Sequence, residues 1–137
     1  MMLKNKNKPK SPYLDSPKTD RLNNNANADH QSEILVDFLI LKLKYDKDEI
    51  VRASAAGALG RIKSEKSVDP LIYALKDRHT YVRHIAAWAL GEIASTKAID
   101  ALKQTALIDD DELTRGKATE ALWKIQRKRE VNFIGFR

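Results

Sequence analysis

The sequence predicts an all-α fold, a short solenoid of about six antiparallel helices behind a disordered N-terminal tail. Three observations carry this expectation. A long apolar segment recurs at a spacing of 31 residues and again, degenerate, at 32. A shorter segment alternates with it at the same period. In both, apolar residues step by three and four, the spacing of one helix face. A fixed period near 30 residues marks a stack in which no unit buries its own apolar face alone.

The elements follow in chain order. Residues 1–31 hold Pro9, Pro12, Pro17, the run Asn23-Asn24-Asn25 and a net charge of +3, with few apolar residues and no period. Such a segment cannot offset its ordering entropy by burial, so a disordered basic tail is expected. The repeat domain is expected over 32–137. A short helix near 32–44 is carried by Val36, Leu39, Ile40 and Leu43. The long unit Ile50 to Ile62 (Ile-Val-Arg-Ala-Ser-Ala-Ala-Gly-Ala-Leu-Gly-Arg-Ile) predicts a helix near 47–62. Val68, Leu71, Ile72 and Leu75 predict a short helix near 66–76, with Pro70 in its first turn, where a missing N–H costs nothing. The long unit returns as Tyr81 to Ile93 (Tyr-Val-Arg-His-Ile-Ala-Ala-Trp-Ala-Leu-Gly-Glu-Ile), near 79–94. Ile99, Leu102 and Ala106 give a short helix near 97–107, and Leu113 to Ile125 a last long helix near 111–129. Asp46, Asp77 and Asp109 read as helix starts, with Asp46–Glu49 and Asp109–Glu112 at capping-box-like spacing.

Charge sharpens this division. Residues 32–123 hold 14 basic and 15 acidic side chains, so the net +6 lies at the two ends, and much of it in the loose tail. That weakens a nucleic-acid reading, which needs a patch. The longest apolar run, Phe38 to Leu41, is far short of the ~20 residues that span a bilayer. The basic start has no apolar stretch behind it, so no secretory signal is expected. With no cysteine there is neither a disulfide nor a thiolate site. A cytoplasmic protein is the simplest expectation.

Val-Arg-x-x-Ala-Ala-x-Ala-Leu-Gly-x-Ile followed by Val-Asp-Pro-Leu-Ile-x-Ala-Leu-Lys-Asp resembles the HEAT-like repeat first described in phycobilisome lyases. The resemblance covers about residues 33–129. It implies a right-handed α-solenoid whose shorter helices line a concave face. It also implies that Arg52, Arg83 and Arg115, each six residues after Asp46, Asp77 and Asp109, join turn aspartates of neighbouring repeats in a ladder that fixes the stack. Taken alone, the arginine row would suit phosphates. His84 stands where the similar deoxyhypusine hydroxylases carry a His-Glu pair for iron. Here Ile85 follows it, and three histidines in all are too few for two irons, so no metal and no cofactor are expected. The run Asp109 to Glu112 reads as a solvated helix start.

No catalytic constellation is recognisable, so the chain is expected not to be an enzyme. The leading expectation is a protein-interaction scaffold that binds another protein through its concave helical face. There Leu41, Tyr73 and Gln104 vary between repeats beside Lys42, Lys76 and Lys103, a groove suited to an acidic or amphipathic peptide. Tyr81, Ile85 and Trp88 form a second stripe. Trp88 replaces Gly57 and Glu120 of the other copies, so it is either an interface anchor or packs on the neighbouring long helix. A bilin lyase or isomerase subunit and a nucleic-acid-binding solenoid are the alternatives. At the C-terminus, Phe133, Ile134 and Phe136 are expected to fold back over an uncovered stripe (Leu113, Ala118, Ala121, Leu122 and Ile125), with self-association through that edge as the alternative.

Overall fold

The computed structural model describes residues 18–135, with side-chain surroundings from residue 26. It has six α-helices: α1 Lys18–Tyr45, α2 Glu49–Ile62, α3 Val68–Ala74, α4 Thr80–Ile93, α5 Ile99–Ile108 and α6 Glu112–Ile134. Single 3₁₀ turns, Glu65–Ser67 and Thr96–Ala98, lead into α3 and α5. The described residues divide into two units within α1, between Ile34 and Leu35. The first contributes the early part of α1, and the second is the short α-solenoid that the repeat implies. No helix among the described residues is long and apolar enough to cross a membrane.

Helix α1 starts at Lys18, well ahead of residue 32, and residues 26–35 are all exposed. No proline or glycine lies between Pro17 and Gly57, so nothing local stops a helix once the apolar turns around Val36 and Leu43 have nucleated it. The rest of the expected tail, residues 1–17, lies outside the described residues.

Each short helix packs on the long helix that follows it, α3 on α4 and α5 on α6, and the long helices pack in sequence, α2 on α4 and α4 on α6. The core is a continuous stripe of Leu59, Leu71, Val82, Leu90, Leu102 and Ile125, with Ala56, Ala86, Ala87, Ala89 and Ala118 between them. The alanines bring the helix axes close, so that small changes of volume are felt. The contact is closest where a Cβ on Gly60 would lie 2.8 Å from the Ala89 backbone, and one on Gly91 would lie 2.9 Å from that of Ala121.

The helix starts differ from expectation by two residues. The N-caps are Asp48, His79 and Asp111, with Asp48 accepting from the Ile50 amide and Asp111 from that of Thr114. Asp46, Asp77 and Asp109 lie upstream and accept the amide hydrogens of Asp48, His79 and Asp111, at 2.9, 2.9 and 3.0 Å. They shape the loops; they do not cap.

The C-terminal expectation is corrected too. Helix α6 runs straight on to Ile134, with Val131, Phe133 and Ile134 exposed, so the described residues make no fold-back cap. Phe136 lies outside the described residues. The stripe needs no such cover. Ala118, Ala121 and Ile125 are already buried by α4 and α5, and only Leu113 is left outside. Taking the short helix as the partner of the preceding long helix left α6 one partner short.

Candidate interaction surface

The loops between repeats are built on arginine. Arg52, buried in α2, donates from Nε and Nη2 to the two carboxylate oxygens of Asp77 at 2.9 and 3.1 Å. Its Nη1 donates to the backbone carbonyls of Asp46 and Lys47. Arg83 repeats this one unit later: Nε and Nη2 reach Asp109, Nη1 the Asp77 carbonyl, and Nη2 also Asp110. Arg115 makes the local half alone, donating to the Asp109 carbonyl at 2.6 Å. The Arg52 and Arg83 forks therefore each tie their own loop to the next one, a geometry that a planar guanidinium supplies and an ammonium does not. Arg52 and Arg83 are occupied, which leaves neither a free fork for a phosphate.

The charges respond accordingly. The hydrogen bond to Asp77 raises the pKa of Arg52. Burial alone would raise that of Asp77, but the Arg52 hydrogen bond and the His79 amide outweigh it and hold the carboxyl below its ordinary value. Asp46 is lowered by the Asp48 amide, and Asp111 by the hydroxyl and amide of Thr114.

These loops form the floors of two grooves on the face made by the short helices. One lies between α1 and α3, with Arg52 and Asp77 beneath and Lys44, Tyr73, Lys76 and Arg78 around it. The other lies between α3 and α5, over Arg83 and Asp109, with Lys76, Gln104 and Ile108 on its walls. Tyr73 is 74% exposed. Of the residues expected on this face, Tyr73 and Lys76 line the first groove and Lys76 and Gln104 the second. The structure sets Lys103 apart, in a cavity between α5 and α6 lined by Ile99, Leu122 and Trp123. Lys42 turns to Asp46 at 3.4 Å.

The second stripe stays together: Tyr81, Ile85 and Trp88 line one surface cavity with Gly57 and Arg61 of α2. Tyr81 is exposed, whereas Ile85 and Trp88 are half-buried against the core. Ile85 meets α2 at Gly57, and the Trp88 ring reaches Gly60. Trp88 therefore packs on the neighbouring long helix, and Gly60 of α2 makes its room. Of the two readings of Trp88, this contact fits packing on the neighbouring long helix. His84 is half-buried, its Nδ1 without a hydrogen-bond partner.

One exposed residue was not singled out from sequence: Trp123, 70% exposed on α6. The repeat alignment held the signal, because Trp123 occupies the position of Gly60 and Gly91.

A family model described as HEAT repeats matches residues 36–123. No curated protein matches the chain.

Proposed function

Because the chain belongs to the HEAT-repeat family, we propose that it is a non-catalytic interaction module whose short-helix face receives an extended, acidic segment of another protein. The supporting observation is the pair of grooves set one repeat apart. Both are floored by neutralised Arg–Asp pairs and share Lys76, and the first adds Tyr73, Lys44 and Arg78. An exposed aromatic beside cations with no carboxylate partner among the described residues suits a chain that alternates apolar and acidic side chains. A row of grooves suits an extended segment, since each repeat offers the same spacing again.

The test is binding to an array of extended peptides that differ in carboxylate number and aromatic content. Binding is expected to favour acidic members, and Tyr73→Ala or Lys76→Glu to weaken it about tenfold or more, with urea midpoints unchanged. Lys103→Glu, outside the grooves, leaves it intact. Equal binding of acidic and neutral members, or tighter binding of duplex DNA with a steep salt dependence, overturns the reading.

A further inference from the structure

The last long helix carries at its outer face a residue that its two predecessors exclude. On α2 the stripe facing the next long helix is Ala53, Ala56 and Gly60; on α4 it is His84, Ala87 and Gly91. Gly60 and Gly91 mark the closest approach, at Ala89 and Ala121. On α6 the same stripe is Gly116, Thr119 and Trp123, all exposed. A further repeat in this register would run its backbone through the indole. Regular continuation of the stack, by another copy joined head to tail, is therefore barred.

We propose that this stripe is a twofold interface: α6 pairs antiparallel with α6 of a second copy, the Trp123 ring of each lying over Gly116 of the other. Two observations choose a second copy as the occupant. The first is a precedent inside the chain, where Trp88 of α4 already lies over Gly60 of α2. Gly116 offers the same kind of seat, since a Cβ there would meet nothing within 4 Å.

The second is charge. With Trp123 opposite Gly116, Arg127 falls opposite Glu112 of the second copy, and symmetry makes this contact twice. Neither residue has an ion-pair partner among the described residues. Asp109 and Asp110 are held by Arg83 and Lys124 by Glu92 within the chain, so the charge match rests on Glu112 and Arg127, with opposed helix dipoles reinforcing it. A parallel pairing would set like against like. Near the axis Glu120 is already neutralised by Lys117 at 3.0 Å within its own chain.

The length of α6 fits the same arrangement. It has 23 residues against 14 in α2 and in α4, and beyond Ile125 every described side chain is exposed. In the pair, residues 112–127 of the two helices overlap over roughly 24 Å. The remaining residues 128–134, about two turns with Val131 and Ile134, overhang toward the end of α5 of the second copy, where Leu107 and Ile108 stand exposed. An apolar extension that buries nothing in its own chain gains a counterpart.

Sedimentation of the full chain up to several hundred micromolar tests this. A monomer–dimer equilibrium is expected. Trp123→Glu should raise the dissociation constant about thirtyfold or more with an unchanged circular dichroism spectrum, since Trp123 is mostly exposed. Glu112→Lys and Arg127→Glu should each raise it about tenfold, and together restore it to within about threefold. The chain has no cysteine, so Thr119→Cys, near the axis, should give a covalent dimer on mild oxidation, whereas Gln104→Cys should not. A monomer throughout the range, a dimer that survives Trp123→Glu, or a double reversal no better than the single ones overturns the proposal.

Discussion

Arg52 and Asp77 show what one well-placed pair contributes. The fork is buried, bidentate and shared with two carbonyls of its own loop, so removing one member strands the other's hydrogen bonds. Asp77→Asn is expected to cost about 2–3 kcal/mol at neutral pH, read from urea midpoints. It also changes the acid response. The folded-state pKa of Asp77 is lowered, so its contribution is complete above the unfolded value of about 3.9 and is lost as pH falls through the folded one. The fall in stability from pH 7 to 3 should thus be smaller in Asp77→Asn than in the parent, with Asp46 and Asp111 supplying the remainder. The glycines of α2 make a second contrast. Gly60→Ala puts a methyl 2.8 Å from the Ala89 backbone and 2.9 Å from the Trp88 ring, and should cost about 1–3 kcal/mol. Gly57→Ala meets only Ile85, at 3.7 Å, and should stabilise by about 0.5–1 kcal/mol through helix propensity. If both move the urea midpoint the same way, the close approach is not where the glycines place it.

At the scale of elements, the long helices α2 and α4 end alike. Lys63 and Ala94 occupy equivalent positions with φ of 59° and 56°, and their amides donate to the carbonyls of Leu59 and Leu90. This left-handed turn frees the chain to drop into the 3₁₀ turn before the next short helix. It normally belongs to glycine, because a Cβ there costs about 1–2 kcal/mol. Ala94→Gly is therefore expected to raise stability by about 1 kcal/mol, visible as a higher thermal midpoint, with little change in the helical spectrum. A drop in midpoint would mean that glycine's unfolded-state entropy outweighs the relieved strain. Helix α6 has no such stop, and no left-handed residue is found in it among the described residues. It runs on past the core, which is how Trp123 and the extension come to share one rod.

For the whole molecule, stability should reside in residues 35–137, since residues 26–35 bury no side chain. The fragment 32–137 is expected to melt within a few degrees of the full chain, as measured by calorimetry, because segments with few buried contacts add little to the cooperative unit. A larger loss would show that residues 1–31 contribute to the cooperative unit. The period, the alternation of long and short helices and their apolar stripes all follow from the sequence, because a repeat must present the same face each time to bury it. So did the spacing between each arginine and its aspartates, which lies in plain register. Register could not say which neighbour a half-unit prefers. The short helices turned out to pack on the long helix that follows, and that choice left α6 covered and its C-terminal extension bare. Nor could it say that Trp88 lies on a glycine 28 residues away, or that Lys103 leaves the face of Tyr73 and Lys76. Periodicity fixes which side of a helix is apolar. The distance between two helix axes, and what remains exposed when they meet, depends on side-chain volumes supplied by both, and only the packed chain brings those together.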